Sequence, residues 1–274
     1  MNDLGASTVA GADVGDWSAV APVTDLFSVR DRVALVTGAT AGLGRRMAAV
    51  LHAAGAKVVL AGRREDRLAE VAAALPGSLT VATDVAVDDD LARLAGRAVE
   101  EHGRVDILVN NAGTAFAGRA QEETPEHIDA TLRVNLTAAL RLAQLVYEPM
   151  VGVGGGSIVN VASIAGSVGI GGRLPQASYA ASKAGLMGLT RELAVQWARD
   201  GIRVNAIVPG FFASEMTDGL LGHEKISDFI LGNSPLRRTG VPGDFDGALL
   251  LLASDAGSFM TGETLHVDGG WTAR

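Results

Sequence analysis

The chain has 274 residues with 23 Lys and Arg against 31 Asp and Glu, and its formal net charge of −8 excludes electrostatic capture of nucleic acid as a first reading. At 48% hydrophobic and 20% charged residues it reads as a packed globular protein, not a disordered chain. The absence of cysteine excludes disulfides, thiolate nucleophiles and Cys-ligated zinc, and fits a reducing, cytoplasmic setting.

Residues 1–28 are rich in Gly, Ala, Ser and Asp without helical or strand periodicity, and read as a flexible N-terminal tail. Asp3, Asp13, Asp16 and Asp25 argue against a secretory leader, and no apolar run is long enough to span a membrane, so no membrane association is expected. Residues 29–274 read as a single domain. Short β-branched runs alternate there with Ala/Leu/Arg stretches of helical period, the signature of βαβ units.

Strands are expected at 33–37, 57–61, 79–83, 106–110, 157–161, 202–207 and 263–267. Their near-continuous apolar character predicts an α/β fold whose doubly wound parallel sheet is covered by helices on both faces. Gly55 is placed to end a helix, and Thr124 followed by Pro125 to start one. Ligand chemistry in such a sheet belongs at the carboxyl ends of the strands.

The first strand ends in Thr37-Gly38-Ala39-Thr40-Ala41-Gly42-Leu43-Gly44 and runs directly into an Ala/Arg-rich helix. Glycines let the backbone turn sharply and approach a phosphate, and the helix N-terminus then faces the anion. After the second strand the sequence reads Ala61-Gly62-Arg63-Arg64, with no carboxylate to bind a ribose 2′-hydroxyl. Gly62 leaves room and Arg63 offers a planar cationic fork, so NADP is favoured over NAD.

Tyr179-Ala180-Ala181-Ser182-Lys183 lies on a helical stretch, where i, i+4 spacing stacks Tyr179 and Lys183 on one face. A phenol is a poor acid or base near neutrality, and a neighbouring ammonium is expected to move its pKa down toward working pH. Ser163, at the end of the fifth strand, is placed to donate to the same substrate oxygen. It is not expected to be a hydrolase nucleophile, because His52, His102, His127, His223 and His266 form no triad pattern. Asn135 falls on the apolar face of the helix beginning near Thr124, where residue physics leaves open a structural hydrogen bond or a place in a water relay. No His/Asp/Glu spacing suggests a catalytic metal.

Over residues 29–274 these motifs resemble the short-chain dehydrogenase/reductase family, in its compact single-domain branch. The glycine turn matches TGxxxGxG, Asn110-Asn111-Ala112-Gly113 matches NNAG, Tyr179 to Lys183 matches YxxxK, and Pro209-Gly210 matches the PG after the sixth strand. The resemblance implies a Rossmann-like sheet of about seven strands and a catalytic tetrad of Asn135, Ser163, Tyr179 and Lys183, with Asn135 supporting a relay water. Lys183 would also hold the nicotinamide ribose. It further implies cofactor contacts from Gly38, Thr40, Gly42, Leu43, Gly44, Asp84, Val85, Asn111, Ala112, Gly113, Pro209 and Gly210, and from Ser214, which stands where the family usually has Thr. A homotetramer or homodimer would form through the helices bearing Asn135 and Tyr179.

Two regions shape the expected substrate pocket. Ser163 and Tyr179 are farther apart than is usual in the family, an insertion falling at residues 171–175 with Arg173 near the pocket. Residues 211–233 resemble a mobile lid, with Phe212, Met216, Leu220 and Leu221 as its apolar underside. The expected activity is NADP-dependent hydride transfer between nicotinamide and a ketone or secondary alcohol of small size. A 3-oxoacyl-[acyl-carrier-protein] reductase ranks second, because residues 145–159 carry no Lys or Arg and contain Glu148. A non-catalytic dinucleotide sensor is the reading from another class, and the presence of Tyr179, Lys183 and Ser163 argues against it.

Overall fold

The computed structural model describes residues 22–171, 174–213, 217 and 223–273. The seven expected strands are all present: β1 Val33–Thr37, β2 Lys57–Gly62, β3 Leu79–Ala82, β4 Ile107–Asn110, β5 Gly156–Val161, β6 Ile202–Pro209 and β7 Thr264–Val267. They form one sheet in the order β3-β2-β1-β4-β5-β6-β7, parallel throughout. Because β4 returns to the far side of β1, the winding reverses between them, and the carboxyl ends of β1 and β4 open the crevice where such a sheet binds its ligand.

The strands have no polar face because both faces are covered. Ala34 and Val36 point toward α2 (Gly42–Ala53), α3 (Glu65–Ala74) and a later helix at Asp246–Ala253, packing with Met47, Leu51, Leu68 and Leu249. Val33 and Leu35 point the other way, toward α4 (Asp88–His102), α6 (Ala138–Val151) and α7 (Ala177–Trp197), packing with Leu91, Leu94, Leu142 and Leu193. Period-two alternation thus builds two cores from one strand.

Local punctuation follows the chemistry of the residues. Gly55 ends α2 at φ +98°, a conformation that an L side chain resists. Thr124 Oγ1 accepts from the backbone N–H of His127 at 3.3 Å, with Pro125 opening α5 (Pro125–Leu132). Between α5 and α6 the apolar period suggested an unbroken α-helix, yet Arg133–Thr137 form a π-helical turn. Within the stretch read as a tail, Val23–Leu26 make one short helical turn, α1, and the chain becomes buried at Val29.

Candidate active site

The first wall of the site is the glycine turn after β1. Gly38 and Gly42 hold φ values of +64° and +52°, and a Cβ on Gly44 would lie 2.2 Å from the Gly38 carbonyl oxygen. No larger residue fits at Gly44 without moving that backbone. Ala41, the N-cap of α2, brings no side-chain acceptor to the first-turn N–H groups, so backbone donors and the helix dipole there favour an anion.

Asn111 holds this turn in shape. Its Nδ2 donates to the Thr37 carbonyl at 2.8 Å and to the Gly38 carbonyl at 3.3 Å. The backbone N–H groups of Asn111 and Ala112 both donate to Thr37 Oγ1 at 3.0 Å. The next residue, Gly113, joins this wall to the reacting groups: a Cβ there would stand 3.4 Å from Asn135 Oδ1 and 3.5 Å from Lys183 Nζ.

At the end of β2, a Cβ on Gly62 would meet Thr40 Cγ2 at 2.8 Å, so Thr40 and Gly62 face each other closely. Arg63 is exposed, whereas Arg64 reaches back across the turn to donate to Thr40 Oγ1 at 3.1 Å. After β3, Asp84 Oδ1 accepts from the Ala86 N–H at 2.9 Å, and the Val85 side chain packs on the core. Leu43 packs on the opposite core. Beyond β6, Pro209 pairs with Val267 of β7, and Gly210 passes so close to Asp268 that a Cβ would meet its Cα at 2.7 Å.

Tyr179 is the third residue of α7, and Lys183 follows one turn later, its Nζ 5.7 Å from the Tyr179 ring centre. Lys183 Nζ donates to the Val161 carbonyl at 2.8 Å, which seats α7 on the end of β5. Two residues beyond Val161, Ser163 caps a 3-10 turn by accepting from the Ala165 N–H at 3.2 Å and hydrogen-bonds the Tyr179 phenol. The sequence had paired no histidine with Ser163, and His266 meets Ser167 instead, with Nε2 and Oγ at 2.9 Å.

The acidity of the pair departs from expectation. Burial pushes the Tyr179 phenol up, opposed by the Ser163 hydrogen bond, and the ammonium of Lys183 is itself pushed down to about 8 by burial. Lys183 therefore does not bring the phenol down in this state. Burial in a low-dielectric environment disfavours phenolate and ammonium alike.

Asn135 is buried in the π turn. Its Oδ1 accepts from the Thr114 N–H at 2.8 Å, while Nδ2 donates to the Thr114 carbonyl and to Ser182 Oγ, both at 2.9 Å. Ser182 Oγ donates in turn to the Tyr179 carbonyl at 2.7 Å. The structure thus links Asn135, Ser163, Tyr179 and Lys183 in one cluster and adds Thr114 and Ser182, which the sequence does not single out. Ser182 could have been found from its place inside the Tyr179–Lys183 turn.

Ser214, Met216, Leu220, Leu221 and Arg173 lie outside the described residues. Phe212 is not on a lid's underside: it is buried in the main core, edge-on to Phe245 with ring centres 5.7 Å apart, because the chain after β6 first dives against Gly240. Phe211 and Phe212 both border a cavity of about 470 Å³ beyond β6 and β7, with Trp271, His266 and Arg238, and no tetrad residue lines it. Among the described residues, no group of three His, Cys, Asp or Glu side chains could hold a metal ion, and no helix is long and apolar enough to cross a membrane.

Comparison with known proteins sets this geometry in context. A family model described as enoyl-(acyl carrier protein) reductase matches residues 38–272. The chain is 38% identical over 255 residues to 2-dehydro-3-deoxy-D-gluconate 5-dehydrogenase of Escherichia coli (strain K12), covering 92% of this chain and 100% of that protein. It is 37% identical over 246 residues to the 3-oxoacyl-[acyl-carrier-protein] reductase FabG of Rickettsia prowazekii (strain Madrid E), covering 89% and 98%. The crystal structure of a gluconate 5-dehydrogenase from Burkholderia cenocepacia J2315 in complex with NADP and tartrate superimposes with a TM-score of 0.87 at 33% identity, covering 92% and 100%.

Proposed function

The chain belongs to the short-chain dehydrogenase/reductase family of hydride-transferring oxidoreductases, and we propose that it uses NADP to interconvert a small free ketone and its secondary alcohol. The observation that carries this reading is the cluster of Ser163, Tyr179 and Lys183 beside Gly113, two residues after the Asn111 that shapes the glycine turn. The glycine turn fits a dinucleotide, since its backbone donors lack a side-chain cap and the absence of a Cβ at Gly44 lets the Gly38 carbonyl fold closely over the start of the helix. The phosphates would lie against Gly38, Thr40, Gly42, Leu43 and Gly44, the adenine side against Asp84 and Val85, and the nicotinamide side near Gly113, Pro209, Gly210 and Ser214. When bound, the nicotinamide supplies or accepts the hydride.

In reduction, Tyr179 gives its phenolic proton to the oxygen that develops negative charge, and the raised phenol pKa keeps that proton in place at neutral pH. Ser163 Oγ donates a hydrogen bond to the same oxygen and stabilises its charge. Lys183, fixed by the Val161 carbonyl, would hold the nicotinamide ribose and stands one helical turn from Tyr179, placed to feed protons toward it. Asn135 places Thr114 and would support a relay water. The reverse oxidation uses the same groups.

Arg63 and Arg64 favour NADP. Arg64 already stands on Thr40, and Arg63 projects from the same strand end with no carboxylate between them. The NADP in the Burkholderia gluconate dehydrogenase supports this assignment.

The relatives include both sugar-acid dehydrogenases and acyl-carrier reductases, which makes reduction of a 3-oxoacyl carrier thioester the second reading. An acidic carrier protein would seek basic residues, and the exposed Glu148 in the stretch 145–159, which has no Lys or Arg, opposes it. A non-catalytic sensor would need no tetrad.

We place the enzyme in the cytoplasm as a homotetramer or homodimer, with residues 1–28 a tail on a single domain of 29–274. Val195 of α7 is 81% exposed and Ile128 of α5 is 36% exposed, which supports association through these helices.

The deciding experiment is NADPH consumption by the purified protein with free ketones, diketones and keto-sugars, set beside a 3-oxoacyl thioester. Turnover of a free carbonyl, lost in Tyr179→Phe while NADPH still binds, is the expected result. Turnover of the thioester alone would replace this reading with the second, and NADPH binding without turnover of any carbonyl or alcohol would favour the sensor.

A further inference from the structure

The first turn of α7 is capped from a distance. Gln176, its N-cap, makes no side-chain capping bond. The acceptor comes instead from Glu123, 55 residues earlier, whose carboxylate takes the Ser178 N–H at 3.1 and 3.3 Å and the Ser178 hydroxyl at 2.7 Å. Ser178 is buried and directly precedes Tyr179. A local Ser, Thr, Asp or Asn at the N-cap would have sufficed to satisfy a helix end. Supplying the acceptor from another segment ties that segment to the residue beside the phenol.

That segment is the loop leaving β4, residues 111–124. It is pinned at its start, where Asn111 locks the glycine turn, and at Thr114, which Asn135 holds by both backbone groups. At Gly118 it meets the stretch before α7: the Gly118 N–H donates to the Pro175 carbonyl at 3.0 Å, and Gly118 forms an isolated parallel bridge with Gln176. Glu123 is the last pin. It joins a loop that begins at the proposed cofactor wall to the turn that carries Tyr179.

We infer that Glu123 is a positioning residue, holding the first turn of α7 so that the Tyr179 phenol is set against the loop that shapes the cofactor wall. This rests on Tyr179 acting as the acid/base. The effect of Glu123 passes through Ser178, which takes the place beside the phenol. A misplacement of about 1 Å at a reacting group can cost on the order of a hundredfold in rate, so a loosened first turn should register in turnover before it registers in binding.

The test is a graded series assayed for kcat, KM and NADPH affinity. Glu123→Ala is expected to lower kcat by about tenfold, with NADPH dissociation within about twofold of wild type. Glu123→Gln, whose amide oxygen can still accept from Ser178, is expected to recover most of that loss. Ser178→Ala removes only the hydroxyl bond and should cost about threefold, and it decides the matter if Glu123→Ala does not fold. Tyr179→Phe, measured alongside, separates the two claims. If Tyr179→Phe abolishes turnover while the Glu123 and Ser178 variants keep wild-type kcat, the positioning role falls alone. Retained turnover in Tyr179→Phe overturns both, and a kcat loss that Glu123→Gln does not relieve also overturns the positioning role.

Discussion

Asn135 holds Thr114 by both of its backbone groups, accepting from the N–H at 2.8 Å and donating to the carbonyl at 2.9 Å. The same Nδ2 also reaches Ser182, so one buried side chain ties the loop after β4 to α7. The π turn makes this possible by widening the helix at the point where Asn135 must face the loop. Replacing Asn135 by Ala leaves the partly buried N–H and carbonyl of Thr114 and the buried Ser182 hydroxyl without this partner, and should destabilise the fold by about 1–3 kcal/mol. Thermal melting checks the stability loss, and a melting point equal to wild type would remove Asn135 from this bridging role. Asn135→Asp should be destabilising as well, because a carboxylate cannot donate to the Thr114 carbonyl.

Gly44→Ala is expected to raise the NADPH dissociation constant more than tenfold, about 1.4 kcal/mol or more. Its Cβ would stand 2.2 Å from the Gly38 carbonyl oxygen and 2.4 Å from Asn111 Nδ2, so either the turn or its lock must move. A fluorescence titration of NADPH measures the effect. Gly96→Ala is the control, since nothing lies near a Cβ at that position on α4.

The cofactor preference should divide between two arginines. Arg63→Ala and Arg64→Ala are each expected to raise the NADPH dissociation constant about tenfold while leaving NADH nearly unchanged, as the loss of one charge-assisted hydrogen bond would. Thr40→Val removes the hydroxyl that receives Arg64 and should reproduce part of the Arg64 effect. The double variant tells whether the two act together, and an unchanged NADPH/NADH ratio in both single variants would assign the preference elsewhere.

Lys183 predicts a pH dependence of stability. Its pKa falls from 10.5 to about 8 on burial, so between those values the unfolded chain binds a proton that the folded chain has released. Stability therefore rises with pH across that window, by about 1.4 kcal/mol per pH unit, and the contribution is lost as pH falls toward 8. Lys183→Met should lack this rise. Denaturant unfolding of both proteins from pH 8 to 10, without cofactor, measures the difference, and parallel stability curves would contradict the burial account. Near pH 10 the tyrosines oppose this rise, because burial raises Tyr179 and a hydrogen bond to Asp200 raises Tyr147, so the unfolded chain releases phenol protons that the folded chain keeps; both tyrosines are present in Lys183→Met, and the difference between the two proteins isolates the lysine.

The parts of the molecule legible in the sequence are those whose physics is local. The strands announce themselves by apolar runs, and Tyr179 and Lys183 by a helical spacing that needs no tertiary knowledge. Other features depend on what folds against them. The direction of the Tyr179 shift turns on burial by distant elements, which outweighs the Ser163 hydrogen bond. The choice of Arg64 to meet Thr40 depends on how the chain leaves β2 and enters α3, where Arg64 is the N-cap. The pairing of Glu123 with Ser178 has no counterpart in spacing or composition, and the π turn is hidden because the apolar period continues through it.

The strand order also sets a timetable. As the chain is synthesised, β1, β2 and β3 can join first, but one edge of β1 stays open until β4 arrives. Asn111 follows β4 directly and is the residue that locks the glycine turn, so the dinucleotide wall reaches its final shape only then. Tyr179 and Lys183 come some seventy residues later, on a helix that must still dock on β5 through the Val161 carbonyl. The nascent protein thus completes its cofactor wall well before it completes the groups that do chemistry, and a chain cut short between them would have the first without the second.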